Sequence, residues 1–185
     1  MTEEIRNNIL KREKIVEEQD IDSLFQLVDN ADFSIALHEI LINRYDKSPE
    51  YLGPVELNLF LAMHLENAGQ ADSILTFLQE WFPQYSDKVI NSLKEIGAIK
   101  SSDIIKQAVE ILPKEGSWFF NSASENEQDL MREFDRQFSS YPDGNMRNLY
   151  RQYADKYRNE ILNTKDKLLL VCTEDAIAKM IEENK

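Results

Sequence analysis

The 185 residues carry 34 acids against 21 bases, a net charge of −13, with one cysteine and only five glycines. A lone Cys172 excludes an internal disulfide and any multi-cysteine zinc site, and it points to a reducing, cytoplasmic setting. No run of eighteen apolar residues and no charged-then-apolar leader occurs, so neither a membrane-spanning segment nor export by that route is expected.

The apolar spacing is helical throughout. A first helix is predicted from about Thr2 to Gln19, then a short one capped by Asp20 or Asp22 and reaching Val28. Asp32 is predicted to cap a helix presenting Phe33, Ala36, Leu37, Ile40 and Leu41, which Pro49 ends. Pro54 suits a first helical turn, and the helix it opens is apolar almost all round to about Asn67, so it should run through the centre of the fold. Gly69 is placed to stop that helix in the left-handed conformation, which makes His64, Glu66 and Asn67 a corner rather than an active site. Ile74 to Trp81 continue the core. Val89, Ile90, Leu93 and Ile96 lead to a stop at Gly97, and Ser102 opens the next helix, which runs as far as Pro113. Trp118, Phe119 and Phe120 anchor a loop. Ser124 to Glu127 form a capping box before Leu130, Met131, Phe134 and Phe138, and Tyr141-Pro142-Asp143-Gly144 is a turn before a helix with Leu149, Tyr150, Tyr153 and Tyr157 on one side. A last helix is expected after Thr173. The fold class is all-α: a single compact domain of about eight to ten helices with terminal helical extensions. Its parts are acidic N-terminal helices (1–50) packing on the core, a central helical domain (51–160) and a C-terminal extension (161–185).

Charge is unevenly spread. Residues 15–87 hold fourteen acids against Arg44 and Lys47 alone, a local balance of −12, whereas residues 1–14 come to +1 and residues 88–185 to −2. So few cations leave the carboxylates no helical i,i+4 partners, and unpaired carboxylates stay solvated and project a negative field. Direct nucleic-acid binding needs clustered Lys and Arg and is not expected; a basic protein partner is the complement. The alternative is that acidity serves solubility alone.

Catalytic signatures are absent. No two glycines lie close enough for a phosphate-cradling loop or a nucleophile elbow. His38 and His64 lack metal-ligand spacing and read as structural, and Cys172, after three leucines and a valine, reads as a buried thiol. No metal and no cofactor are expected. An enzyme working through His64, Glu66 or Asp135 is the remaining catalytic alternative; Asp135 more simply caps a helix or pairs with Arg132 or Arg136.

Several short motifs follow one another along the chain. They are Ser92-Leu93-Lys94-Glu95-Ile96-Gly97-Ala98, Ile111-Leu112-Pro113, Phe134-Asp135-Arg136-Gln137-Phe138, Tyr141-Pro142, and Leu149 with Tyr153. In this order the span from about Leu57 to Tyr157 resembles the acidic all-helical domain of a bacterial DNA-mimic protein family. Family members carry an Asn-Gly-Gly-Phe box and then Gln-Phe-Phe; here Asn67-Ala68-Gly69-Gln70 and Leu75-Thr76-Phe77 depart from both. The resemblance implies a dimeric protein without enzymatic activity, whose carboxylates copy duplex phosphates and occupy the groove of a basic DNA-binding protein. The candidate contacts are Glu17, Glu18, Asp20, Asp22, Asp29 and Asp32, supported by Asp46, Glu50, Glu56 and Asp72. The same carboxylates would also suit an immunity-type inhibitor of a basic toxin or nuclease.

Overall fold

A computed structural model describes residues 3–114 and 116–161. Every regular element among them is helical, and none is long and apolar enough to cross a membrane. The predicted helix after Thr173 and the predicted buried thiol Cys172 lie outside the described residues. The chain divides into two compact units, one comprising Met1–Gly53 with the segment from Ala154 onward, the other Pro54–Tyr153.

The first unit is built on α1 (Glu3–Glu18), α2 (Ile21–Phe25) and α3 (Asn30–Lys47), with a 3-10 turn at Pro49–Tyr51. The turn out of α1 is made by Gln19 at φ +51°, after which the Asp20 carboxylate caps α2. It accepts from Ser23 N at 3.0 Å and from Ser23 Oγ at 2.6 Å. Asp29, not Asp32, caps α3, accepting from the backbone N of Ala31 and Asp32. Asp32 lies one turn too late for that task and instead receives Arg12 at 3.0 Å. Both caps satisfy donors that the first helical turn leaves without an internal partner. Leu24, Phe33, Leu37, Ile40 and Leu41 are buried completely. Arg44 is buried as well, its Nε donating to Gln19 Oε1 at 3.2 Å.

The second unit is organised around α4 (Pro54–Ala71), against which α5 (Ser86–Glu95) and α8 (Glu125–Ser139) pack, with α6 (Ile99–Glu110) lying on both α5 and α8. Leu59, Phe60, Leu61, Ala62, Leu65 and Ala68 have essentially no exposure, as a helix apolar on most faces requires. The helix passes straight through Gly69. Its ideal Cβ position would lie 3.3 Å from Phe138 Cδ1, so this glycine admits a ring against the backbone instead of stopping the helix. The chain then makes a π-helical turn, Thr76–Trp81, and a 3-10 turn, Pro83–Tyr85. Phe77 and Leu78 enter the core there, while Trp81 is 43% exposed, contrary to its predicted core role.

Gly97 does stop α5. At φ +90° it closes a Schellman motif, with Gly97 N donating to Lys94 O and Ala98 N to Leu93 O. The next helix begins at Ile99 rather than at Ser102, because its cap is supplied from far along the chain. Asp143 accepts from Lys100 N, Ser101 N and Ser101 Oγ at 2.7–2.9 Å. Ser102 is fully buried and donates to Ile90 O. Among the aromatic anchor residues only Phe119, which opens α7 (Phe119–Ser122), is fully buried; Phe120 is exposed. The Ser124–Glu127 capping box forms as read. Leu130 faces solvent and Met131, Phe134 and Phe138 carry the packing of α8. The Tyr141 to Gly144 turn leads to α9 (Met146–Lys156), where Tyr150 and Tyr153 are buried.

Candidate interaction surface and polar cleft

The ten predicted contact residues meet different fates. Glu17, Glu18, Asp22, Asp29, Asp46 and Glu50 are exposed on the first unit, and Asp72 is exposed on the second. Asp20 and Asp32 are half-buried and already engaged, one as a helix cap and one with Arg12. The Ser23 hydroxyl and backbone N–H hold the Asp20 carboxyl below its ordinary range. Asp22 lies 3.6 Å from Arg158, whose guanidinium also covers the Phe25 ring at 4.7 Å; Glu18 lies 3.8 Å from Lys14 on the same helix. These are exposed pairs of small energetic weight, about 0–1 kcal/mol each.

Glu56 must be removed from the set. It has no exposed surface, because the first turn of α4 places position 56 on the face turned into the core. A count of charges along the chain carries no helical phase and so does not separate Glu56 from the exposed acids.

The three groups of the catalytic alternative do not share a site. The His64 ring lies tilted against Phe60 and edge-on to Trp81 and Phe82, with Nδ1 3.2 Å from Phe60 O. Asp135 accepts from Ile74 N at 2.8 Å, tying α8 to the turn after α4, while Arg132 and Arg136 pair instead with Asp129 and Glu133. Bonds from Arg136 and Gln137 hold the Glu133 carboxyl down at about 2. Glu66, two residues from His64, faces Tyr150 on α9.

Burial, and then the nearby charge of Asp72, push the Asp135 carboxyl above its ordinary range against the lowering effect of the Ile74 N–H. A carboxyl raised in this way favours the fold below its unfolded value near 3.8, and the contribution is lost as pH climbs through the folded value. At neutral pH the ionised form therefore weighs against folding. Asp135→Asn keeps an oxygen for Ile74 and should raise the thermal midpoint at pH 7, with the gain vanishing below about pH 4. A variant less stable than the parent at pH 7 would show that the Ile74 bond depends on the charge.

Glu66 belongs to a feature the sequence reading did not assemble. A cleft of about 440 Å³ is lined by Glu66 and Gln70 of α4, by Tyr141, Gly144 and Asn145 of the turn, and by Arg147 of α9. Tyr150 Oη, at the base of Glu66, donates to its Oε2 at 2.7 Å and lies 3.3 Å from Ala62 O. Gln70 Nε2 bonds both Glu66 Oε1 and the Tyr141 hydroxyl. Burial together with the Glu66 charge raises both hydroxyls above the ordinary tyrosine range, Tyr150 strongly. Tyr141 adopts φ +56°, a left-handed conformation uncommon outside glycine. The i,i+4 spacing of Glu66 and Gln70 was the one sequence signal available; their union with a tyrosine 71 residues away was not.

Among the described residues, no group of three or more His, Cys, Asp or Glu is placed to hold a metal ion.

No curated protein and no solved structure matches the chain. A family model does: the one described as DMP19-like protein matches residues 50–157, more than half of the sequence. The chain belongs to this family. The family is of the DNA-mimic type. Its DMP19-like segment encloses the whole second unit, Pro54–Tyr153. Seven of the ten predicted contacts, Glu17 through Asp46, precede that segment; Glu50, Glu56 and Asp72 fall within it.

Proposed function

We propose that the protein is a non-enzymatic interaction module that offers carboxylates to the basic, DNA-binding face of a partner protein. The observation that carries this reading is the base-free run inside the DMP19-like segment. Residues 50–87 contain six acids and no lysine or arginine. On the first unit Glu17, Asp22 and Asp46, which precede the segment, and Glu50 at its first position are exposed carboxylates. Duplex DNA presents about one charge per 1.7 Å of axis, and carboxylates three or four residues apart on a helix stand roughly 5–6 Å from each other. Several helices together therefore approach the charge pattern that a DNA-binding groove is built to receive. We infer a cytoplasmic setting, no direct contact with nucleic acid or membrane, and a homodimer as the presenting form.

The test is capture of partners from a lysate at low and high salt, followed by elution with duplex DNA. Bound proteins should be basic, should leave as salt rises, and should be displaced by the duplex, because DNA and protein compete for one face. Replacing Glu17, Asp22, Asp46 and Glu50 together by lysine should abolish capture. Partners indifferent to both salt and duplex would overturn the reading. A captured nuclease or toxin whose activity the protein blocks would reassign the same carboxylates to an immunity function.

A further inference from the structure

We propose that the cleft between α4 and the start of α9 binds a small zwitterion of the α-amino-acid kind, its ammonium held at Glu66 and its carboxylate at Arg147. This rests on the second unit alone and is independent of the interaction reading.

The cavity, about 440 Å³, lies in the range of small-molecule sites, roughly 300–1,000 Å³. Charges of both signs line it, and they do not neutralise each other. Glu66 and Arg147 form no ion pair, and the Arg147 guanidinium has no ion-pair partner among the described residues. In the same unit Arg132 and Arg136 are each closed onto a carboxylate of their own helix. A purely anionic ligand would meet the Glu66 charge and a purely cationic one the Arg147 charge. A molecule carrying both charges satisfies both walls.

The groups are also held in place. Tyr150, fully buried, fixes one Glu66 oxygen, and Gln70 approaches the other at 3.2 Å. A carboxylate has about four lone-pair sites, so capacity remains for an ammonium. On the opposite wall the planar guanidinium suits a carboxylate bidentately. The first turn of α9, where Asn145 Oδ1 accepts from Arg147 N, adds the partial positive charge of a helix N-terminus. Tyr141 borders the cleft from its left-handed turn, and its hydroxyl is held by Gln70 on the Glu66 side of the cleft.

Ligand-observed NMR on the full-length protein, with the twenty standard amino acids and with propylamine and propionate as half-ligands, tests the assignment. At least one amino acid should bind about tenfold or more tightly than either half-ligand. Arg147→Ala, a surface change, should reduce that preference to the level of propylamine; Glu66→Gln, which leaves an acceptor for Tyr150, should reduce it to the level of propionate. Absence of binding by every amino acid would overturn the proposal. So would a half-ligand that binds as well as the whole, or an R147A protein that binds unchanged.

Discussion

Phe60→Ala should destabilise the second unit by about 3–5 kcal/mol, the range for removing a buried phenylalanine ring. Phe60 sits at the middle of α4 with 1% exposure. Its ring meets Phe82 edge-on at 5.4 Å and His64 at 4.2 Å, so deletion leaves a void walled by aromatic groups that cannot collapse into it. A domain of ordinary stability has about 5–15 kcal/mol in total, so the loss would be a large part of it. Both tryptophans, Trp81 and Trp118, belong to this unit, and urea unfolding followed by their fluorescence reports on it directly. Trp81→Ala, read by circular dichroism, should cost under about 1 kcal/mol, because that side chain is 43% exposed. Equal losses from the two substitutions would mean that the aromatic cluster, not burial, sets the energy.

Tyr150→Phe is expected to cost about 1.5–3 kcal/mol at neutral pH. It removes a hydrogen bond to a charged group and leaves the half-buried Glu66 carboxylate with one donor fewer. Cavity formation contributes little, since the ring remains. The pH profile separates this from simple loss of packing. Burial and then the Glu66 charge place the Tyr150 hydroxyl well above the usual tyrosine value near 10. A group raised in the fold supports it below the unfolded value and loses that support as pH rises beyond it. The parent protein should therefore weaken progressively above about pH 10, and Y150F should weaken less steeply. Changing Glu66 to leucine in the Y150F background should cost less than the separate losses summed, because the two side chains act as one unit. Strict additivity would deny the bond the weight given to it here.

What the sequence disclosed about the fold came from residues whose chemistry allows few alternatives. Pro54 has no amide hydrogen to lose and opens α4; Gly97 alone accommodates the left-handed stop of α5; Ser124 and Glu127 satisfy each other's backbone and start α8. Errors arose where one residue type serves two purposes. Gly69 permits a left-handed turn but equally permits a ring to touch a helix, and only the position of Phe138 decides between them. Asp29 and Asp32 are chemically equivalent caps, and the start of α3 at Asn30 makes the first the cap and leaves the second to receive Arg12. Ser102 looked like a helix start because the true cap, Asp143, is far away in sequence. A regular helical count turns Trp81 inward, and the π-helical turn rephases it.

The candidate sites were less legible for a related reason. Composition places the acids along the chain but has no phase, so it counts Glu56 with the exposed carboxylates although α4 turns it inward. The cleft depends on Glu66, Tyr141 and Arg147, which come from two helices and the turn between α8 and α9. No spacing rule along the chain brings them together. Along the chain Tyr141 is only half of a Tyr-Pro turn, and Tyr150 only one position on the apolar side of a helix.

The meeting of Phe138 with the backbone of α4 has a consequence for how such chains can diverge. Position 69 and position 138 share one volume, so neither is free to drift alone. A lineage that exchanges the glycine for alanine or serine should already have accepted a slimmer side chain than phenylalanine opposite, and the reverse order should be rare. The neighbouring position 68 is occupied by a buried alanine, one step away along the helix from the glycine that meets the ring.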